Sequence, residues 1–155
     1  MGPIDTIIDK AEEKCAARHA RLTTKRKMVL RCLLGQDHPI SAYGIIDKCR
    51  VRFGSDMPPT SVYRILSFLQ ENLLVHKLEL QNKYIACSHI SCKHDHGHPQ
   101  FLICIKCKLV KEVDDNASFV SEMIKVFGRS NFQFVTPQVE MVGVCDECHT
   151  TDQIK

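Results

Sequence analysis

Two short cysteine pairs, Cys104-x2-Cys107 and Cys145-x2-Cys148, stand 37 residues apart in the rear of a 155-residue chain. Each pair presents two thiolates from one tight turn, and two such knuckles together complete the four-sulfur tetrahedron of a closed structural zinc site. The spacing therefore asks for a fold that brings the chain back to its own starting point. Between the knuckles, "KLVKEV" is strand-like, "NASFVSEMIKVFG" reads as a helix with Asn116 as cap and Gly128 as stop, and "FQFVTPQVEMVGV" is a second strand-like run. This is a small α/β unit with little core of its own, so zinc and dimerisation are expected to stabilise it.

Nine cysteines is an odd number. With no secretory signal in the polar, acidic opening "MGPIDTIIDKAEEK", it argues for metal or redox chemistry rather than a disulfide framework. No apolar run reaches the roughly 18 to 20 residues that span a bilayer, and a cytoplasmic location is expected. "CDECH", Cys145 to His149, also matches the C-x-x-C-H haem-attachment motif. That reading needs export and leaves Cys104 and Cys107 unexplained, so zinc is preferred.

Charge divides the chain. Residues 1–86 hold 14 Lys/Arg against 9 Asp/Glu, whereas residues 87–155 hold 7 against 9. A basic front is compatible with a solvated helix surface or with nucleic acid, and the order of elements favours the second. Ile4, Ile7, Ile8, Ala11 and Cys15 recur at helical spacing. Thr23 can cap a second helix with Met28, Val29, Cys32 and Leu33 inward and Gly35 as its stop, and Ser41 opens a third. After Pro58 and Pro59, "TSVYRILSFLQENLL" begins with cap-forming hydroxyls and keeps Val62, Ile65, Leu66 and Leu69 at core spacing. Two strand-like runs, "LVHKLEL" and "KYIAC", then turn at Gln81-Asn82. Helices followed by a hairpin give a winged helix-turn-helix, whose last helix enters the major groove with its N-terminal residues towards the bases. Those residues are Thr60, Ser61, Tyr63 and Arg64; an arginine there can grip guanine O6 and N7. Cys15, Cys32 and Cys49 lack partners at ligand spacing and read as small core hydrophobes.

The remaining metal donors bracket the joint between the halves. His76 falls at the start of the wing and Cys87 at its end, His96 and His98 precede the first knuckle, and Glu112 follows it. Histidine, thiolate and carboxylate make a good mixed zinc site, and one built from both modules would fix their angle when filled. The plain alternative for "SHISCKHDHGHPQ" is a histidine-rich loop that binds metal weakly. A zinc enzyme would need an open coordination position and a base, and neither H-E-x-x-H nor H-x-E with P-C-x-x-C occurs.

The order of "RLTTKRKMVLRCLL", "ISAYGIID", "PPTSVYRILSFL", "LVHKLE", "FLICIKCKLVKEV" and "VEMVGVCDEC" over roughly residues 10–148 resembles the Fur family of bacterial metal-responsive repressors, and within it the zinc-sensing branch, Zur. The resemblance implies an α+β chain: a winged helix-turn-helix DNA-binding domain at 1–86, a His/Cys-rich hinge loop at 87–98, and a zinc-binding α/β dimerisation domain at 99–155. It implies a homodimer that binds dyad-symmetric double-stranded operator DNA when zinc-loaded and represses zinc-uptake genes, with two zinc ions per chain. Carried over by residue, structural zinc falls on Cys104, Cys107, Cys145 and Cys148, and regulatory zinc on His76, Cys87, Glu112 and His98, with His96 as the alternative to His98. Tyr43 and Arg64 fall on DNA-contacting positions. The usual threonine of T-V-Y-R is Ser61 here, preceded by Thr60, which leaves two hydroxyls for one role. His89, Cys92 and His94 have no counterpart. An iron, manganese or peroxide sensor of the same family is the alternative function.

Overall fold

Ile8, Ala11 and Cys15 share one side of α1 (Pro3–Ala17) and are buried there, as their spacing requires. The structure is a computed structural model that describes residues 2–92, 97–113, 117–135 and 138–153. The chain divides into two units, Met1–Cys92 and Lys93–Lys155. No described helix is long and apolar enough to cross a membrane.

In the first unit α1 is followed by α2 (Thr24–Leu33), α3 (Ala42–Phe53) and α4 (Pro59–Glu71), then the antiparallel hairpin of β1 (Val75–Leu78) and β2 (Lys83–Ala86). This is the winged helix-turn-helix anticipated above. Its core draws Ile8, Cys15, Val29, Leu30, Leu33, Ile45, Val62, Leu66 and Leu69 from all four helices, with Leu74, Val75 and Tyr84 beneath the wing. Ile40 adds a third strand position to the wing, exchanging backbone hydrogen bonds with Tyr84 at 2.9 and 2.8 Å. That strand passes so near α3 that a Cβ on Gly44 would come within 2.7 Å of Ile40 Cγ2.

The helix ends separate the true caps from the apparent ones. Ser41 Oγ accepts the Gly44 N–H at 3.1 Å, a true N-cap of α3. Thr23 stands at the N-cap position of α2 but its side chain makes no capping bond. The hydroxyls expected to cap α4 do not do so: the cap position is Pro58, and Pro59 is the first helical residue. The ring of Pro59 presets the first turn, so Thr60 and Ser61 lie inside the helix with no capping duty. Met28 is only half-buried, and Leu30 takes the core position beside Val29. The α4 C-terminus is closed by Leu73 at φ 57, with Leu74 N–H on Leu69 C=O at 2.9 Å. This is a Schellman closure with leucine where glycine or asparagine is usual.

The second unit is a three-stranded sheet ordered β4-β3-β5, with β3 (Gln100–Cys104) central, β4 (Val110–Val113) antiparallel to it and β5 (Val139–Gly143) parallel. Helix α5 (Ala117–Arg129) connects β4 to β5, and α6 (Asp146–Gln153) follows. Four features differ from the expectation. The central strand β3 and the helix α6 have no counterpart in the sequence reading. The strand before the second knuckle begins only at Val139, since Phe132 to Val135 are not paired. Gly128 lies within α5, which ends instead through Asn131 at φ 59, with Phe132 N–H on Phe127 C=O at 2.8 Å. Asparagine can take the left-handed conformation, so it serves as the stop. Asn116 lies outside the described residues.

Candidate metal centre

The parallel pairing of β3 with β5 decides where the knuckles meet. Cys104 is the register partner of Gly143, and Ile105 N–H continues the ladder to Gly143 C=O at 2.9 Å. Two parallel strands end at the same edge of a sheet, so the pair that follows β3 and the pair that follows β5 arrive together. The first knuckle turns through Lys108 at φ 64, with Lys108 N–H on Cys104 C=O at 3.0 Å. The second is held by the start of α6, where His149 N–H reaches Cys145 C=O at 2.9 Å.

The four sulfurs of Cys104, Cys107, Cys145 and Cys148 all lie within 4.8 Å of one another. A tetrahedron of thiolates about 2.3 Å from zinc has sulfur–sulfur edges of about 3.8 Å, and Cys107 and Cys145 are 3.7 Å apart. The cluster therefore fits zinc in chemistry and size. One sulfur is held as thiolate by its surroundings: the Cys145 N–H donates to Cys104 Sγ at 3.4 Å. That bond and a second backbone hydrogen bond from the Cys107 N–H draw the Cys104 pKa down to about 6. Cys148, hydrogen-bonded to Cys145 and sharing the cluster with other sulfurs, is pushed up to about 12. A dication neutralises this crowding.

The other donors sit in both units. In the first, a ring nitrogen of His76 on β1 and the Sγ of Cys87, just past β2, lie within 4.8 Å. The hairpin enforces this, because Cys87 N–H bonds Leu74 C=O at 2.9 Å beside the Val75–Ala86 pair. Cys87 is buried, and its sulfur accepts the His89 N–H at 3.4 Å. In the second unit Glu112 stands on β4 opposite Phe101. His98 packs edge-on to Phe134, ring centroids 5.8 Å apart, and its Nδ1 is buried with no hydrogen-bond partner among the described residues. An imidazole nitrogen buried without a partner fits a metal ligand. His96 and His94 lie outside the described residues; Cys92 is exposed.

The recognition helix displays its reading residues. On α4, Val62, Ile65, Leu66 and Leu69 face the core, while Thr60, Tyr63 and Arg64 are exposed and Ser61 is half-buried. Tyr43 on α3 is exposed too. Arg64 has no hydrogen bond or ion pair among the described residues. Helix α4 is steadied by Arg26 of α2, whose guanidinium lies 3.4 Å above the centre of the Phe68 ring, a contact the sequence did not disclose.

Comparison with known proteins agrees with this geometry. Residues 17–142 match the ferric uptake regulator family. The zinc uptake regulation protein of Escherichia coli (strain K12) is 37% identical over 143 residues, covering 92% of this chain and 81% of that one. Among solved structures, a zinc uptake regulator complexed with zinc and DNA superposes with a TM-score of 0.84 at 30% identity over 99% of both chains. Holo XcZur does so at 0.77, with 33% identity over 95% of this chain and 99% of that one. One unit holds two knuckles closed by a parallel strand pair and the other a winged helix with an unencumbered arginine, the equipment of a regulator rather than an enzyme, and the chain belongs to the ferric uptake regulator family.

Proposed function

We propose that this chain is a zinc-responsive transcriptional repressor that binds dyad-symmetric operator DNA as a zinc-loaded homodimer in the cytoplasm and shuts off zinc-uptake genes. The observation that carries the reading is the pairing of His76 with Cys87 at the base of the wing, in the same unit as an exposed recognition helix. A thiolate with an imidazole suits zinc better than the oxygen-rich sites preferred by iron or manganese. Each chain then takes two zinc ions. One is structural, on Cys104, Cys107, Cys145 and Cys148; the other is regulatory, on His76, Cys87, His98 and Glu112, ligands supplied by the DNA-binding domain, the hinge loop and the dimerisation domain.

Zinc acts here as a restraint. A metal held by ligands from both domains narrows their relative orientations, and the two recognition helices of a dimer can then occupy major-groove half-sites about 34 Å apart. The coupling is the difference in zinc affinity between DNA-competent and other conformers, typically about 1 to 3 kcal/mol. Dimerisation is supported by the second unit's surface, where Leu102, Phe119, Ile124, Val126 and Val142 are exposed and β5 is an edge strand. A second copy would cover these groups. On the DNA side Arg64 and Tyr63 meet base edges, Thr60 and Ser61 supply hydroxyls to bases or phosphates, and Tyr43 approaches the backbone.

The test is zinc content per chain before and after mild chelation, with operator binding followed by fluorescence anisotropy at each stage. Two zinc ions falling to one, with DNA affinity lost and then restored by zinc but not by iron or manganese, is the expected result. One zinc throughout, with DNA binding indifferent to it, would remove the regulatory site. On the zinc-loaded dimer, Arg64→Ala is expected to weaken operator binding by about 1 to 3 kcal/mol and relax preference at one base pair, with folding unchanged. Equal weakening on every sequence would make Arg64 a phosphate contact instead.

A further inference from the structure

Cys32 and Cys49 stand 17 positions apart in the chain with nothing in the sequence to link them, and the structure brings them together. Cys32 on α2 and Cys49 on α3 are buried, 2% and 0% exposed, and their sulfurs stand 3.2 Å apart. Both lie outside the zinc-type clusters. Cys32 also forms part of the wall of a surface cleft of about 330 Å³, together with Gln36, Asp47, Lys48, Val51 and Arg52. Cys32 is screened from bulk water, yet the residue borders a space that admits a small molecule. Two cations, Lys48 and Arg52, line the same cleft.

We propose that Cys32 and Cys49 form a redox-active dithiol that hydrogen peroxide, entering by this cleft, converts to an intramolecular disulfide tying α2 to α3. The Cys32 thiolate attacks one peroxide oxygen, the O–O bond breaks, and a sulfenic acid and hydroxide form. Cys49, deprotonated as it reacts, attacks the sulfenic sulfur; the S–S bond forms, the S–O bond breaks and water leaves. Two thiols lose two electrons and two protons, and one peroxide becomes two waters. The sulfurs, 3.2 Å apart, need approach by only about 1 Å to reach bonding distance.

The division of labour between the sulfurs follows from their surroundings. Either sulfur can donate the bond they share; with Cys49 as donor that bond favours thiolate at Cys32, aided by Arg52 and Lys48, while the same bond and burial push Cys49 up. Low-pKa thiols beside cations are the reactive ones. Cys15 in the same core provides an internal contrast, since burial raises its pKa.

The experiment uses the full-length, zinc-loaded protein and hydrogen peroxide, followed by alkylation, proteolysis and mass spectrometry, with zinc release recorded in parallel. The expected result is a Cys32–Cys49 cross-linked peptide lighter by two hydrogens, reversed by dithiothreitol and formed before zinc is released. Loss of free thiol at Cys32 should run at least about tenfold faster than at Cys15. Cys49→Ala should stop oxidation at the Cys32 sulfenic acid, trapped by dimedone, which shows Cys32 to be the attacking group without requiring the cross-link. If Cys32 and Cys49 remain alkylatable while cysteines of the zinc clusters oxidise, or if Cys32 and Cys15 react at equal rates, the proposal is overturned.

Discussion

Cys145→Ala is expected to leave the second unit without a fixed fold, losing its zinc and the cooperative part of its unfolding transition. Among the described residues this unit buries only Phe101, Ile103, Cys104, Val110, Val120 and Val139 as hydrophobics, too few to offset the entropy of ordering the chain unaided. A structural zinc in small domains is worth roughly 10 to 16 kcal/mol at neutral pH, so removing one of four thiolates takes away much of what holds the unit folded. Cys145 also donates its N–H to Cys104, yet alanine keeps that backbone group, so the substitution isolates the sulfur. Elemental analysis with far-UV circular dichroism and hydrogen exchange would read the result. Retained zinc and unchanged protection in β3 and β5 would show three thiolates to be sufficient. Cys32→Ala, away from the knuckles, should leave zinc content untouched.

Phe101→Ala should be the next most damaging, by packing rather than by metal. Phe101 is fully buried on the central strand, with Glu112 opposite on β4 and Glu140 opposite on β5, and replacing a buried phenylalanine by alanine costs about 3 to 5 kcal/mol. In so small a core there is little to collapse into the cavity. The expected reading is a large drop in the denaturant midpoint of the second unit and weaker zinc retention, since folding and binding are coupled there. Leu102→Ala, next along the same strand but 44% exposed, should cost far less in a single chain. A Phe101→Ala protein with the wild-type midpoint would mean that the metal alone organises the sheet.

The front half is largely legible in the sequence, because helices announce themselves through local spacing. Ile8, Ala11 and Cys15, or Val62, Ile65, Leu66 and Leu69, identify their faces within a few turns, and Ser41 declares its cap. What misleads there is also local: Thr60 and Ser61 look like caps until Pro59 takes the first helical position. The rear half is legible as chemistry before it is legible as structure. The four thiolates can be named from spacing, but β3 cannot be told from a linker, since the burial of Gln100, Phe101, Ile103 and Cys104 in "QFLIC" comes with strands that follow later in the chain. Parallel pairing leaves no short-range trace, and neither does the meeting of Cys32 with Cys49 across 17 positions. The end of α5 at Asn131 shows the same limit at smaller scale, since Gly128 is the obvious candidate and a helical glycine is merely tolerated.

The parallel union of β3 with β5 has a temporal meaning. A chain leaving the ribosome exposes Cys104 and Cys107 while Cys145 and Cys148 are still unmade, and domains emerge from the N-terminal side at about 5 to 20 residues per second. The winged helix, closed by neighbours in sequence, can be complete before the partner strand exists. The metal shell cannot, and a polypeptide cut short between the pairs offers zinc two sulfurs instead of four. Firm zinc capture at that edge of the sheet is therefore a molecular receipt for translation through Cys148, and interrupted chains lack the unit that the full-length protein uses to hold itself together.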